Sequence, residues 1–279
     1  MAKHRGVAGD WVRQLELRTF RRRRKRAFLL LVPVLIASAA GWALWLRGAG
    51  FAALLPFGCA LIALKSVGCW LDKRLLVEGR IAKGIAGDEE VAEVLGLLDD
   101  DTYVYHDVVT PFGNIDHVVL SPCNGLLIIE TKAHSGTVAF AGSALVRNGR
   151  HLEKDFVGQL TRNGLWLRGE LCERLGRRFW IHYILVFTNA HVDPWCRTSV
   201  KGVHIVWLKR LLSHIKSLRS DWNTPLLLEQ RWVLEEVLGI EPIPASASSK
   251  SLFGKWKPKL VKIGHRFYAG KDSPGAWPP

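Results

Sequence analysis

The sequence predicts an α/β fold, a sheet flanked by helices, preceded by an N-terminal transmembrane helical hairpin. Two long uncharged segments lie between residues 27 and 71. Beyond residue 80 an amphipathic helix is followed by closely spaced strands, a second helix and another apolar strand, an alternation that builds a sheet covered by helices. Charge is segregated as well: residues 1–26 carry +8 and residues 245–279 carry +6, together the whole net charge of +14. The middle of the chain is neutral, so the basicity belongs to ends that seek anionic lipid or nucleic acid.

The 279 residues include 48% hydrophobic and 23% charged residues, which excludes a disordered chain. The five cysteines are odd in number and form no CxxC. They exclude a zinc ribbon, an iron–sulfur centre and a disulfide scaffold, and they suit a reducing compartment.

Ala27–Leu46 is twenty residues without a charge, enough for a helix of about 30 Å that spans a bilayer core. Its apolar stretch is too long for a cleaved signal, and Trp42 and Trp45 suit an interface. Ala49–Leu71 is apolar except for Lys65, which can snorkel; it reads as a second crossing, with a re-entrant helix as the alternative. Arg21–Arg26 precedes the pair and Lys73-Arg74 follows it, so positive flanks put both ends in the cytoplasm. Four parts result: a basic cytoplasmic tail at 1–26, a transmembrane hairpin at 27–71, a folded domain at 80–240 and a basic flexible tail at 241–279. The expected location is the cell membrane, multi-pass, with two helices and both termini cytoplasmic.

Within the folded domain, Ile81, Ile85, Val91, Val94, Leu95 and Leu98 recur at helical spacing over residues 80–100. Strands are expected at Tyr103–Val109, Asn114–Ser121 and Gly125–Lys132, with shorter ones at Thr137–Phe140 and Leu145–Arg147. Gln159–Leu175 reads as a helix with leucines along one face. Trp180–Thr188 is an apolar run of buried-strand length. His204–Trp207 is a short strand, and Leu208–Leu218 and Pro225–Leu238 are helices.

Asp116 sits inside an apolar strand, and the next strand ends Glu130-Thr131-Lys132. Residues i and i+2 of a strand share a face, so Glu130 and Lys132 project together. Two carboxylates converging from neighbouring strands suit Mg²⁺ or Mn²⁺. Such an ion generates a hydroxide nucleophile and offsets charge on a phosphate, while a lysine holds the water or the phosphate. In isolation, an Asp followed by Glu-x-Lys is more often a strand cap with a solvated ion pair. His117 points to the opposite face and packs beneath a helix, and His106, His134 and His151 have no zinc spacing.

The context singles this instance out. Lys83-Gly84-x-x-Gly87-Asp88-x-x-Val91, then Asn114-Ile115-Asp116-His117-Val118-Val119, then Gly125–Lys132, with Gly136 and Gln159 following, resemble the nuclease-related domain (NERD) family over roughly residues 80–190. That family belongs to the restriction-endonuclease-like PD-(D/E)xK group. The resemblance implies a restriction-endonuclease-like mixed sheet flanked by helices and metal-dependent nuclease chemistry. Asp116, Glu130 and an acidic group on the first helix, Asp88, would hold Mg²⁺ or Mn²⁺; Lys132 would assist the nucleophile and Gln159 would help. The chain departs from the family pattern at Asp88, where Glu is usual, and at Asp155-Phe156, where Asn-Pro is frequent. Glu89 is a candidate substitute for the missing Glu. Some relatives end in a zinc ribbon, but residues 245–279 contain no cysteine, so no such module is expected there.

The function this implies is a membrane-anchored, metal-dependent nuclease acting on DNA or RNA, with membrane lipid as a second partner. The alternative is a catalytically weak, membrane-tethered module that binds nucleic acid or another partner on the same fold, which Asp88 keeps open. Arg21–Arg26 reads as a lipid anchor, with nucleic acid as the alternative. Lys255–Lys259 with Lys262 and His265–Tyr268 mixes cations and aromatics, which suits a single strand or a membrane interface equally.

A shared site also constrains register. Asp116 meets Glu130 and Lys132 only if facing residue numbers sum to an even value. Asn124-Gly125 as a two-residue turn breaks this. The expectation is therefore a three-residue loop Cys123-Asn124-Gly125 with Gly125 at positive φ. Pro122 would then lie near Leu126, Asp116 opposite Lys132 and Val118 opposite Glu130.

Overall fold

The chain's first strand carries too few residues to show a period. Lys3–Arg5 (β1) runs parallel to Tyr103–Thr110 (β2), with Lys3 beside Tyr103 and Arg5 beside Tyr105. In the computed structural model, residues 1–10, 13–14, 32, 35–43, 45–48, 54–141, 144–152, 154–193 and 199–240 are described. Two compact units divide the chain, Met1–Pro242 and Ile243–Pro279. The second unit lies outside the described residues, as do the Arg21–Arg26 run and the basic C-terminal residues.

Leu54–Gly96 (α1) is one helix of 43 residues. The sequence reading places a crossing segment and a separate helix there; the chain continues helically through Asp72-Lys73-Arg74 instead. The reason is local: residues 72–83 are dominated by good helix formers, and the single glycine Gly79 among them costs only about 1 kcal/mol. Its C-terminal part buries Val91, Leu95 and Leu98, whereas Leu61, Ile62, Leu64, Leu75 and Leu76 are exposed. Among the described residues no helix is long and apolar enough to cross a membrane. Part of Ala27–Leu46 and the start of the second apolar segment lie outside the described residues.

After α1 come β2, Gly113–Ser121 (β3) and Gly125–Lys132 (β4) as an antiparallel meander. Gly136–Ala141 (β5), Ala144–Arg147 (β6) and Arg150–His151 (β7) follow, then Phe156–Leu175 (α2). Ile181–Phe187 (β8), Ala190–Val192 (β9), Ser199–Val200 (β10) and Val203–Trp207 (β11) precede Leu208–Ser217 (α3), Thr224–Glu229 (α4) and Arg231–Val237 (α5). The expected final helix is thus broken at Gln230, whose φ of −101° and ψ of 31° leave the helical region.

A seven-stranded mixed sheet has the order β1-β2-β3-β4-β8-β11-β10, with β8 parallel to both β4 and β11. A four-stranded sheet has the order β7-β6-β5-β9. On one face of the large sheet, Val118, Leu120, Leu126 and Ile128 pack against Leu160, Leu167 and Leu171 of α2. On the other, Val119, Leu127 and Ile129 pack against Val91 and Leu95 of α1 and Leu211 and Ile215 of α3. These alternating partners explain why β3 and β4 read as continuous apolar runs: both faces are covered.

The hairpin register differs from expectation by two residues. Ser121 pairs with Gly125, Val119 with Leu127 and His117 with Ile129, so paired numbers sum to 246, an even value. The loop is Pro122-Cys123-Asn124, and Gly125 takes φ +86° as the first residue of β4. Asn124 stays in the loop because its backbone N–H donates to the Ser121 hydroxyl at 3.3 Å and its side-chain amide donates to the Leu218 carbonyl at 3.3 Å. A two-residue shift preserves side-chain facing, so Asp116 and Glu130 lie next to the last pair on one common face.

Candidate active site

The β3–β4 ladder stops at His117 and Ile129. One residue further, the Asp116 carboxylate itself takes the backbone N–H of Thr131, with Oδ2 2.7 Å from the nitrogen. The strands part there, and the gap holds the carboxylates. Asn114 Nδ2 donates to Asp116 Oδ1 at 3.2 Å. The buried Asn163 of α2 in turn donates to the Asn114 carbonyl at 3.0 Å and accepts from the Thr110 hydroxyl at 2.8 Å.

Glu130 and Lys132 meet as expected for alternate residues of one strand: Lys132 Nζ lies 2.5 Å from Glu130 Oε1. Gln159, in the first turns of α2, donates to the same oxygen at 3.3 Å. Asp155 sets where that helix begins by accepting the N–H of Gly158 as its N-cap. The ammonium of Lys132 also stands 5.0 Å from the centre of the Phe156 ring. Glu130 Oε2 is buried without a hydrogen-bond partner.

Asp88 reaches the same place from α1, on the opposite face of the sheet. Gly87 makes this possible. A Cβ there would lie 3.1 Å from the Thr188 hydroxyl and 3.2 Å from the Ala133 side chain, so glycine lets the helix approach the ends of β4 and β8 without crowding them. Asp88 is buried, whereas Glu89 is exposed and pairs with Arg13.

Sequence reasoning passed over Asp107. It lies on β2 in the left-handed region, with φ 52°. Its Oδ2 accepts the N–H of Asp10 at 2.5 Å, and its negative charge acts on Asp88. The signal was present, since Asp107 interrupts an apolar strand as Asp116 does.

The electrostatics follow from burying several carboxylates together. Burial first, then Asp116 and Asp107, pushes Asp88 up to about 8. Burial and Asp116 push Glu130 up to about 7. Burial also raises Asp116, against the pull of Lys132 and the Thr131 N–H. Burial pulls Lys132 down, but Glu130 and Asp116 outweigh it and hold its ammonium above the ordinary value. Lys132 is thus a permanent cation and hydrogen-bond donor at neutral pH.

Among the described residues no group of three or more His, Cys, Asp and Glu side chains could hold a metal ion as the side chains stand. The donor chemistry nevertheless fits a hard divalent ion: several buried carboxylates are each costly to ionise, one of their oxygens is unpartnered, and the positive charge they face comes from Lys132.

His117 points away from the carboxylates, as expected, and is fully buried. It belongs to a chain that spacing did not reveal. His4 Nδ1 lies 2.8 Å from His106 Nε2, His106 Nδ1 lies 2.8 Å from His117 Nδ1, and His117 Nε2 lies 3.3 Å from the Thr131 hydroxyl. Burial lowers His106 to about 4 and His117 well below the usual value, so the chain is neutral at pH 7. Three neutral rings can pass one hydrogen bond to the next in a single direction across β1, β2, β3 and β4.

Residues 83–188 match the model of the nuclease-related domain, NERD. No curated protein and no solved structure shows a significant match to the chain.

Proposed function

Because residues 83–188 are a nuclease-related domain, we infer that this chain hydrolyses phosphodiester bonds of nucleic acid with the help of Mg²⁺ or Mn²⁺. The observation that carries this reading is the convergence of Asp116, Glu130, Lys132, Gln159 and Asp88 where β3 and β4 part. Asp116, Glu130 and Asp88 would hold the ion. The ion would supply a hydroxide nucleophile near neutral pH and offset charge on the phosphate.

The chain's own groups do the rest. Lys132, kept protonated by its carboxylate neighbours, donates Nζ–H bonds to a phosphate oxygen or to the attacking water and does not serve as the base. Gln159 orients Glu130 through Oε1. Asn163 fixes the Asn114 carbonyl, and Asn114 steadies Asp116. Incubating the full chain with single- and double-stranded DNA and RNA, with and without Mg²⁺ or Mn²⁺, tests the reading. Metal-dependent cleavage supports it, and no cleavage of any substrate under any of these conditions overturns it.

A second reading has specific support. The carboxylates are not gathered to hold a metal ion, and Asp88 is one methylene shorter than the Glu usual at this position. On that reading the domain binds nucleic acid and cleaves it weakly.

We also propose that the chain is anchored in the cell membrane by residues 27–71, with both termini cytoplasmic. Val32, Leu35, Ile36, Trp42, Trp45, Leu61, Ile62 and Leu64 all expose large apolar side chains, a row that water does not favour and lipid does. Residues 3–5 pair with β2, so the chain before and after residues 27–71 lies in one body. Any crossing between them must come in pairs. A reporter fused after residue 240 should behave as cytoplasmic, and an extracytoplasmic signal there would sink the topology.

A further inference from the structure

At the end of β8 remote from the carboxylates, a groove of about 760 Å³ opens between α2 and the loop before α4. Its walls include Leu165, Arg168, Arg178, Trp180, Asp221 and Trp222. Trp222 is 76% exposed and Trp180 46%, unusual for residues that bury whenever the fold offers a place. Neither Arg168 nor Arg178 is among the arginines that form salt bridges within the described residues, which are Arg5, Arg13, Arg174 and Arg231. The lining sets one acidic residue, Asp221, against the two arginines, and hydrogen bonds hold it in place. Asp221 Oδ2 accepts the backbone N–H of Trp180 at 2.9 Å, and Oδ1 accepts the Thr224 hydroxyl at 2.5 Å. The groove therefore offers flat apolar faces and a lining with two guanidiniums against one carboxylate, a net positive charge.

We propose that this groove binds the unpaired bases of a single nucleic-acid strand, with Trp222 and Trp180 stacking on bases and Arg168 and Arg178 meeting the flanking phosphates. The proposal rests on the nuclease reading above and adds to it a binding site separate from the carboxylates. Unpaired bases fit because an indole stacks on any base without regard to sequence, whereas a duplex keeps its base faces covered. Charge complementarity separates this occupant from an uncharged apolar peptide, which would leave the net positive charge of the lining unmatched. The Trp180 backbone is braced by Asp221, and its indole N–H lies 3.4 Å from His182 Nδ1, so this ring is already oriented before a strand arrives.

The distance to the candidate active site gives the groove a use. Ile181, next to Trp180, pairs with Leu126 at one end of β4, and Phe187 pairs with Lys132 at the other. Six strand steps cover about 20 Å, a span that an unpaired strand bridges with a few nucleotides. A strand held at Trp222 has a restricted length of chain with which to reach the carboxylates. Cleavage should therefore weaken for oligonucleotides too short to span about 20 Å.

The test is fluorescence anisotropy of a labelled 20-nucleotide single strand with the full chain in EDTA, where metal-dependent cleavage is off. The same strand as a duplex is the control. The single strand should bind more tightly than the duplex. Trp222→Ala should weaken single-strand binding roughly 5- to 150-fold, the range for loss of one base stack, and Trp222→Phe should restore most of it. The pair Arg168→Ala and Arg178→Ala should lower the slope of log affinity against log salt by about 1.4, for two phosphate contacts. Trp222 is too exposed for its loss to unfold the domain, and an unchanged melting temperature verifies this. If the wild type does not bind the strand, or if Trp222→Ala binds it as the wild type does, the proposal is overturned. The two readings separate cleanly. Cleavage by the wild type with unaltered binding by Trp222→Ala removes the groove and leaves the nuclease. Binding through Trp222 with no cleavage under any metal condition removes the nuclease and leaves the groove.

Discussion

Asp116 Oδ2 holds the backbone N–H of Thr131 at 2.7 Å, so a side chain takes over where the β3–β4 ladder ends. This one bond satisfies a strand N–H beyond the last ladder pair and holds the Asp116 carboxylate in place. It also ties the two faces of the sheet together, because the Thr131 hydroxyl meets His117, the innermost ring of the histidine chain.

Asp116→Asn should keep the Asn114 and Thr131 contacts in part, so the fold survives while cleavage falls. Glu130→Gln should do the same. Loss of a ligand-shell charge predicts a drop of about 10- to 100-fold or more in activity. Lys132→Ala should cost about 100- to 1,000-fold, the typical effect of removing one donor to a developing negative charge. Cleavage rates on a common oligonucleotide, with circular dichroism as the fold control, provide the check. Wild-type rates in all three variants would remove the site assignment.

Asp88→Glu asks whether side-chain reach limits the site. The longer carboxylate extends from the same helix position, held close by Gly87. Under the nuclease reading its activity equals or exceeds that of the wild type, and metal titration of the cleavage rate reports a tighter apparent affinity. A strong loss would mean that the closely packed site has no room for the extra methylene.

Stability should fall as pH rises above 6.5 in metal-free buffer. Glu130 and Asp88 have folded values of about 7 and about 8, above their ordinary values of 4.5 and 3.8. A raised carboxylate contributes stability that is full below its unfolded value and is lost as pH climbs through its folded value. His106 and His117 act in the other direction, since their lowered values make them lose stability as pH drops below 6.5. Between about 6.5 and 8 the carboxylates act without that opposition. Melting temperature should decline across this window, and Glu130→Gln should flatten the decline. Mg²⁺ should raise the melting temperature more at pH 8 than at pH 6, because protons compete for the same oxygens. A melting temperature that rises from pH 6.5 to 8 in EDTA contradicts the argument.

Glu235 fastens the N-terminal strand to the C-terminal helix of the domain. It is fully buried, 3.4 Å from Arg5 Nη2, 3.1 Å from Arg231 Nε and 3.2 Å from the Tyr105 hydroxyl. Glu235→Ala leaves the Tyr105 hydroxyl without its acceptor and two guanidiniums without their counter-charge, and should cost about 3–5 kcal/mol in denaturant unfolding. Arg5→Ala should cost less, since its side chain is partly in water. A fragment that starts at residue 80 lacks Arg5, β1 and the Asp10 N–H on Asp107, and should unfold more readily than the full chain. Equal midpoints for Glu235→Ala and the wild type would refute this fastening.

Much of the candidate site could be read from the chain because its parts are local. Glu130 and Lys132 share a face by strand alternation. Gln159 was legible at the start of a helix marked by its leucines, whereas Asn163, one turn on, was not singled out. Even parity between β3 and β4 followed from the need to bring Asp116 to Glu130, and Gly125 at positive φ followed from the turn. Tertiary structure decided what depends on distant partners. The register moved by two residues because Asn124 bonds to Leu218, far along the chain, which local turn preferences do not include. β1 has three residues, too few for any period, and exists through pairing with a strand about 100 residues away. Asp107 joined the carboxylates, and three histidines joined one chain, because β1 to β4 were laid side by side. Periodicity records which way a side chain faces; only packing sets which other side chain it meets.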